Sequence, residues 1–474
     1  MTEKSKENYM HIELTKRKRN LILFSACIAT FMATLDGSIV NIALPILKEH
    51  FSVSISAVSW AVTVYLLTIS AILLIWGKLA DLYGNKTLFA LGIGIFTIGS
   101  FLCGIAISFP MLIIARIVQA IGASITMALV QGIVTSIFPS NERGKALGVL
   151  ATTVAIGSLA GPSLGGILIE IFNWRAIFFI NLPFGIFGVI LTIFIMPNIK
   201  PAEINKTFDI KGSAFFVFSI LLLFISLIFI QDGFISLQIF ALIFVIALLL
   251  FSIFIKIEKK HKYPLINLNI FKNKTLSIGL FCAYIFFLAM FSYLIFVPFY
   301  LNLVLKLSIF ETGLLMSLYP LSSAILSPFC GRLSDKITFK PLTIIGMSIN
   351  TFALTLMLFF NQNTNKYLIG LVILLLGMGG AFFGAPNTSS IMGSVSRDKL
   401  GVTGSLTAFF RNFGMVSGTT ISVIIFSAVT NIGFNTISSG AFDSSVFMQG
   451  FKAVILTSAL LCFVAVLINA FRKN

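Results

Sequence analysis

Fourteen stretches of this chain stay apolar for about 20 residues or more, the length a helix needs to cross a bilayer core about 30 Å thick. The first runs from 21 to 47 and the last from 450 to 471. No gap between them is polar enough to surface a soluble domain. Of the 474 residues 58% are hydrophobic and 10% charged, whereas soluble domains carry about 25% charged residues. The expected fold is an all-α polytopic membrane protein with 14 transmembrane helices. The first apolar run follows a polar tail and is long enough to span, so it is expected to remain in the mature protein rather than act as a cleaved signal.

The net charge of +17 invites a nucleic-acid reading, but the basic residues fall in the short gaps between apolar runs. With the amino terminus inside, only Lys48, Arg175, Lys306, Lys366 and Lys452 face outward. Arg116 and Arg411 lie within spans, and every other Lys and Arg falls on the inner side. The positive-inside rule then puts both termini in the cytoplasm. The expected location is the cytoplasmic membrane, crossed many times, with the lipid bilayer and not nucleic acid as partner. The five cysteines, Cys27, Cys103, Cys282, Cys330 and Cys462, sit in apolar runs and read as small packing residues. His11, His50 and His261 are scattered in polar segments. No nucleophile-base pair, phosphate-binding glycine loop or metal-ligand spacing is visible, so no enzyme activity, metal or cofactor is expected.

An internal duplication organises the spans. GKLADLYGNKTL at 77–88 matches GRLSDKITFKPL at 331–342 at Gly, Leu, Asp, Lys and Leu, and the same offset carries Arg143 and Lys145 onto Arg397 and Lys399. Spans 1–6 and 9–14 therefore form two parallel six-helix halves, an arrangement typical of transporters. The expected divisions are a tail at 1–20, a first half at 21–197, a linker at 198–274 and a second half at 275–474. The linker contains an inserted hairpin at about 212–255, turning at Asp232 and Gly233.

A charge inside hydrocarbon costs about 2.5 to 3.5 kcal/mol on insertion scales and marks a functional candidate. Asp36 lies roughly 22 Å along span 1, and Arg116 lies roughly 9 Å below the outer end of span 4, which runs inward. Equal depth permits an ion pair or a water-bridged pair. A carboxylate beside a movable cation can gain and lose a proton as its surroundings change; a permanent pair holding the two spans together is the alternative. Asp36 could also attract cationic substrates.

On span 4, Arg116, Ala120, Ala123, Met127 and Gln131 follow the helical period, which suits either a cavity wall or an ordinary helix contact. Arg411, roughly 16 Å into span 13, has no acid in its own helix. An anionic group, a carbonyl cluster or Asp36 across the pore would each suit it. In span 5, Gly157, Gly161 and Gly165 recur every four residues, with Pro162 and Gly166 among them. Small residues at that spacing allow close helix approach, expected here against the second half of the protein. The loop around Gly77, Asp81, Gly84 and Lys86, repeated around Asp335, places a helix end at Gly77 and a carboxylate able to accept from helix amino-terminal amides. It serves either as a gating latch on the inner side or as a solvated basic loop.

Five segments in order resemble the major facilitator superfamily, in its fourteen-span drug:proton antiporter branch. LDGSIVNIALP from Leu35 resembles the span 1 signature, GKLADLYGNK the loop 2–3 signature, and RIVQAIG from Arg116 the proton-transfer signature of span 4. GSLAGPSLGG from Gly157 is similar to the antiporter signature of span 5, and WRAIFFINLPFG from Trp174 to the start of span 6. The resemblance covers essentially the whole chain. It implies a major-facilitator fold and a monomer that exports lipophilic molecules while protons enter, with Asp36 and Arg116 coupling the proton. A substrate cavity is expected near Asp36, Met127, Gln131 and Arg411 from their places in the spans. Leu82 and Asn85 stand where the loop signature has arginines, and Ala120 where span 4 has glycine, so a weaker latch is expected. A single central carboxylate favours neutral, zwitterionic or monocationic substrates over dications.

Overall fold

The computed structural model describes residues 14–53, 55–197, 208–231, 234–261, 263–396, 399–431 and 444–472. Fourteen helices among them are long and apolar enough to cross a membrane. Helices α1 to α5 are Lys16–Phe51, Ile55–Tyr83, Asn85–Gly104, Phe109–Ile137 and Ser140–Ile171. Helix α6 is Ala176–Ile195, with a turn at Ile180. Helices α7 and α8 are Ile210–Gln231 and Leu237–Lys260, and α9 is Lys274–Phe299, prolonged by a π turn at Tyr300–Val304. Helices α10 to α14 are Ile309–Lys336, Phe339–Met357, Lys366–Gly393, Leu400–Thr430 and Ser444–Ala470. Backbone polar groups in hydrocarbon must be satisfied within the chain, which is why every span is helical. The hairpin turn at Asp232 and Gly233, and Arg397, lie outside the described residues.

Because the crossings alternate, the start of α1 and the end of α14 share one side, here called the terminal face. The basic run at the start of α1 is helical from Lys16, with the Thr15 side chain accepting from the Lys18 amide at 3.4 Å. The expectation that Gly77 ends a helix is corrected. Gly77, Lys78 and Asp81 all lie within α2, and the chain breaks only at Gly84, whose φ of 91° favours glycine. Lys86 opens α3.

Helices α1–α6 and α9–α14 form the two halves, and glycines at repeat-related positions set their packing. Gly92 on α3 presses on Ile125 of α4, and Gly346 on α11 presses on the backbone of Gly379 and Phe383 on α12. The inserted hairpin lies across the seam between the halves. From α7, Phe229 meets Trp60 of α2 at 6.0 Å, while Phe216 and Phe224 meet Phe409 and Phe413 of α13 at 5.6 and 5.9 Å. Helix α8 lies outermost, with Leu242, Val245, Leu248 and Leu249 exposed where lipid would cover them.

Close approach is demanding at Gly122 of α4, where a Cβ would lie 2.6 Å from the Gly92 carbonyl oxygen and the Phe96 Cα. Those are backbone atoms and cannot rotate aside. Gly122→Val should therefore cost about 1 to 3 kcal/mol by overpacking. A fall in melting temperature and folded yield in detergent is expected; wild-type melting would show that α3 can retreat.

Candidate functional site

The acid of α1 and the cation of α4 meet in a sealed cluster. Arg116 Nη1 donates to Asp36 Oδ2 at 2.6 Å and to Gln119 Oε1 at 2.6 Å. Gln119 Nε2 donates to Asp36 Oδ1 at 2.8 Å and to Ser100 Oγ of α3 at 2.8 Å. Arg116 Nε donates to the Ala61 carbonyl of α2 at 2.8 Å, and the guanidinium lies over the Tyr65 ring at 4.3 Å. Asp36, Arg116 and Gln119 are each 0% exposed. Both carboxylate oxygens are therefore engaged, and charge and counter-charge cancel inside the first half. Only Arg116 Nη2 is left without a partner. Such networks hold their members in one geometry because an unmade bond in a low dielectric is costly.

Gln119 escaped selection from the sequence, although it stands three residues after Arg116 and so shares its helix face. A neutral amide carries no alarm in a charge-based search; its position between Arg116 and Asp36 was the available signal.

The glycines of α5 pack on α1, and this overturns the expectation that they seal against the second half. A Cβ at Gly157 would strike Thr34, one at Gly161 would strike Ser38, and one at Gly165 would strike Ile39. Ser38 Oγ also donates to the Gly157 carbonyl at 3.2 Å. Gly166 has open space beside it. Pro162 lies within the continuous α5, and its side chain is outside the described residues. The ridge therefore grips the helix that carries Asp36.

The halves meet through the repeated loops on the terminal face. Asp81 accepts from the Gly401 and Val402 amides at 3.2 and 3.3 Å, at the start of α13. Asp335 accepts from the Gly144 and Lys145 amides at 2.7 and 2.9 Å, at the start of α5. A Cβ at Gly77 would press on the Gly401 carbonyl at 2.7 Å, and Gly331 packs on Gly144 in the related place. Farther along α5, Thr152 Oγ1 donates to the Ala324 carbonyl of α10 at 2.8 Å. Asp81 satisfies free amides in the first turn of α13, Asp335 bonds to amides one turn into α5, and each carboxylate faces the positive end of a helix dipole.

A small central cavity lies between α1, α4, α5 and α13, with a volume of about 30 Å³. Thr34, Thr126, Met127, Gln131, Val154 and Arg411 line it. Met127, Gln131 and Arg411 thus come together, whereas Asp36 is not among the lining residues. The predicted face of α4 divides between the two places. Arg116, Ala120 and Ala123 are buried in the first half, and only Met127 and Gln131 reach the cavity. Fifteen residues at 100° each rotate the row by roughly 60°, enough to change its neighbour. The volume suits one or two waters, far below the roughly 300 Å³ of a small-ligand pocket.

A duplicated helical bundle with an intramembrane charge cluster and a cavity between its halves defines a membrane transporter. The chain matches the Major Facilitator Superfamily over residues 26–419, and it belongs to that family. It is 35% identical over 96% of its length to the riboflavin transporter RibZ of Clostridioides difficile, covering 98% of that protein. It is 32% identical over 88% of its length to the multidrug transporter protein MdtP of Bacillus subtilis, covering 77% of that one. Its fold is that of the proton:xylose symporter XylE, with a TM-score of 0.68 at 14% identity, covering 97% of each chain. Multidrug resistance protein Stp of Mycobacterium tuberculosis is a further relative, 28% identical over 85% of this chain.

The latch generates a test. Asp335→Ala removes both bonds to the α5 amino terminus, whose stabilisation is worth up to about 2 kcal/mol. A cysteine placed at Ser327, now 1% exposed, should react roughly tenfold faster with a thiol reagent in that variant, in a background free of native cysteines. An unchanged rate would mean that Asp335 does not hold this face shut.

Proposed function

We propose that the protein exports lipophilic molecules across a bacterial cytoplasmic membrane in exchange for protons, by alternating access of the two halves to a central cavity. The terminal face is the cytoplasmic one in this reading, as the distribution of Lys and Arg favours. The carrying observation is the buried Asp36–Arg116–Gln119 cluster. A carboxylate whose two oxygens are both bound takes up a proton only when Arg116 or Gln119 lets go. Movement of α1 against α4 then becomes protonation, and protonation becomes movement. Asp36 is the proton carrier, and Arg116 is the cation that competes with the proton for it.

Helix α5 joins this chemistry to gating. Its first half is held to α10 at Gly144 and Thr152, and its second half grips α1 through Gly157, Gly161 and Gly165. Release of the Asp335 latch would tilt α5 and disturb the helix that carries Asp36. One proton entering down 100 mV supplies about 2.3 kcal/mol, somewhat under a hundredfold gradient for each net charge moved.

The relatives support two substrate ranges. Multidrug transporters among them favour a broad set of lipophilic compounds. The near full-length likeness to a riboflavin transporter favours a transporter dedicated to one metabolite. The test is proton release in inverted vesicles, followed with a pH-quenched dye for cationic, zwitterionic and neutral drugs and for riboflavin. Several compounds should release protons with the wild type and none with Asp36→Asn. A response to riboflavin alone would select the dedicated reading, and an equal response from Asp36→Asn would make the cluster purely structural.

A further inference from the structure

Among the described residues, Asp36, Arg116 and Arg411 lie well inside the spans, and two of them cancel. Asp36 and Arg116 neutralise each other in the first half, 0% exposed, so the charge that remains near the centre is Arg411. It lines the central cavity, and its Nε is buried with no hydrogen-bond partner. Among the described residues, no ion pair or hydrogen bond is made by the Arg411 side chain. A guanidinium carries five donors in a planar fork and meets carboxylates and carbonyl pairs with two bonds at once.

The other polar groups of the cavity complete the picture. Thr30, Thr34 and Thr126 spend their hydroxyl protons on their own helices, donating to the Ala26, Thr30 and Ala123 carbonyls at 2.8, 2.8 and 2.9 Å. They offer a ligand lone pairs but no donor. Gln131 Oε1 is buried without a partner, so its amide is free to meet a ligand. The cavity therefore holds one unneutralised cation, one free amide and an apolar lining that includes Met127, Val130 and Val154.

We infer that Arg411 sets substrate class: the cavity admits molecules with an apolar body and an anionic or carbonyl-rich head, and turns away lipophilic cations. This rests on the transporter reading above, and it gives the central cation rather than Asp36 the contact with substrate. An entering cation would face Arg411 with no carboxylate among the lining residues to offset it. An entering carboxylate or imide would receive charge-assisted bonds from the Arg411 guanidinium.

Two xanthene dyes of opposite charge, fluorescein and tetramethylrhodamine methyl ester, separate the cases. Their binding to the purified full-length protein in nanodiscs is read by fluorescence anisotropy, with no proton gradient present. The outcome is therefore independent of whether Asp36 couples protons. The wild type should bind the anionic dye roughly tenfold or more tightly than the cationic one. Arg411→Gln should erase that preference and Arg411→Lys should keep its direction. Should Arg411→Gln fail to fold, the wild type and Arg411→Lys still decide. Equal binding of the two dyes by the wild type, tighter binding of the cation, binding of neither, or an unchanged ratio in Arg411→Gln overturns the inference.

Discussion

Hydrocarbon offers a backbone amide no partner, and an unpaired polar group there costs several kcal/mol. The rest of this structure depends on that constraint. It makes every crossing a helix and shifts the work of specifying the fold from hydrophobic burial to close packing and a few polar contacts. The glycines of α4, α5 and α11 act through this route, because a missing Cβ is what lets one helix reach another's backbone. The constraint also explains why so few charges remain inside. Of the three well inside the spans, Asp36 and Arg116 are paired and Arg411 stands at the central cavity.

Polar contacts are spent at two levels of the bundle. Near the terminal face, two carboxylates tie one half to the amino termini of helices in the other, and repeat symmetry makes the two ties near copies. These bonds lie at the ends of helices, where separation exposes amides to water and not to lipid. They can therefore break at modest cost. Deeper in the membrane, the Asp36 cluster joins four helices of a single half and has no access to water. Separation there is far more costly, because the unmade bonds would stay away from water.

The inserted hairpin adds a contact that a two-half description omits. Helix α7 places aromatic rings on α2 of one half and α13 of the other. Ring packing of this kind is broad and tolerant of sliding. The seam beside α7 is thereby covered, and α8 packs on its outer side.

Fourteen spans, the duplication and the residues of both latches were legible in the sequence, because each depends on local pattern: apolar length, repeated spacing, a carboxylate at a fixed offset. Even there, the helical state of Gly77 and Asp81 was missed, since a charged, glycine-bearing segment reads as a loop until a neighbouring helix end satisfies it. What only the tertiary structure decided was pairing across space. Span 5 could have met either half, and the choice of α1 came from which side chains filled the spaces beside Gly157, Gly161 and Gly165. Gln119 joined the cluster because three helices converge on it, and no spacing along the chain encodes that. The sequence by itself determined that Asp36, Arg116 and Arg411 lie in the membrane, since hydropathy is additive along the chain. Which two of them neutralise each other, and which is left facing the cavity, was decided by helix rotation and packing, where a turn of roughly 60° moves a side chain from one neighbour to the next.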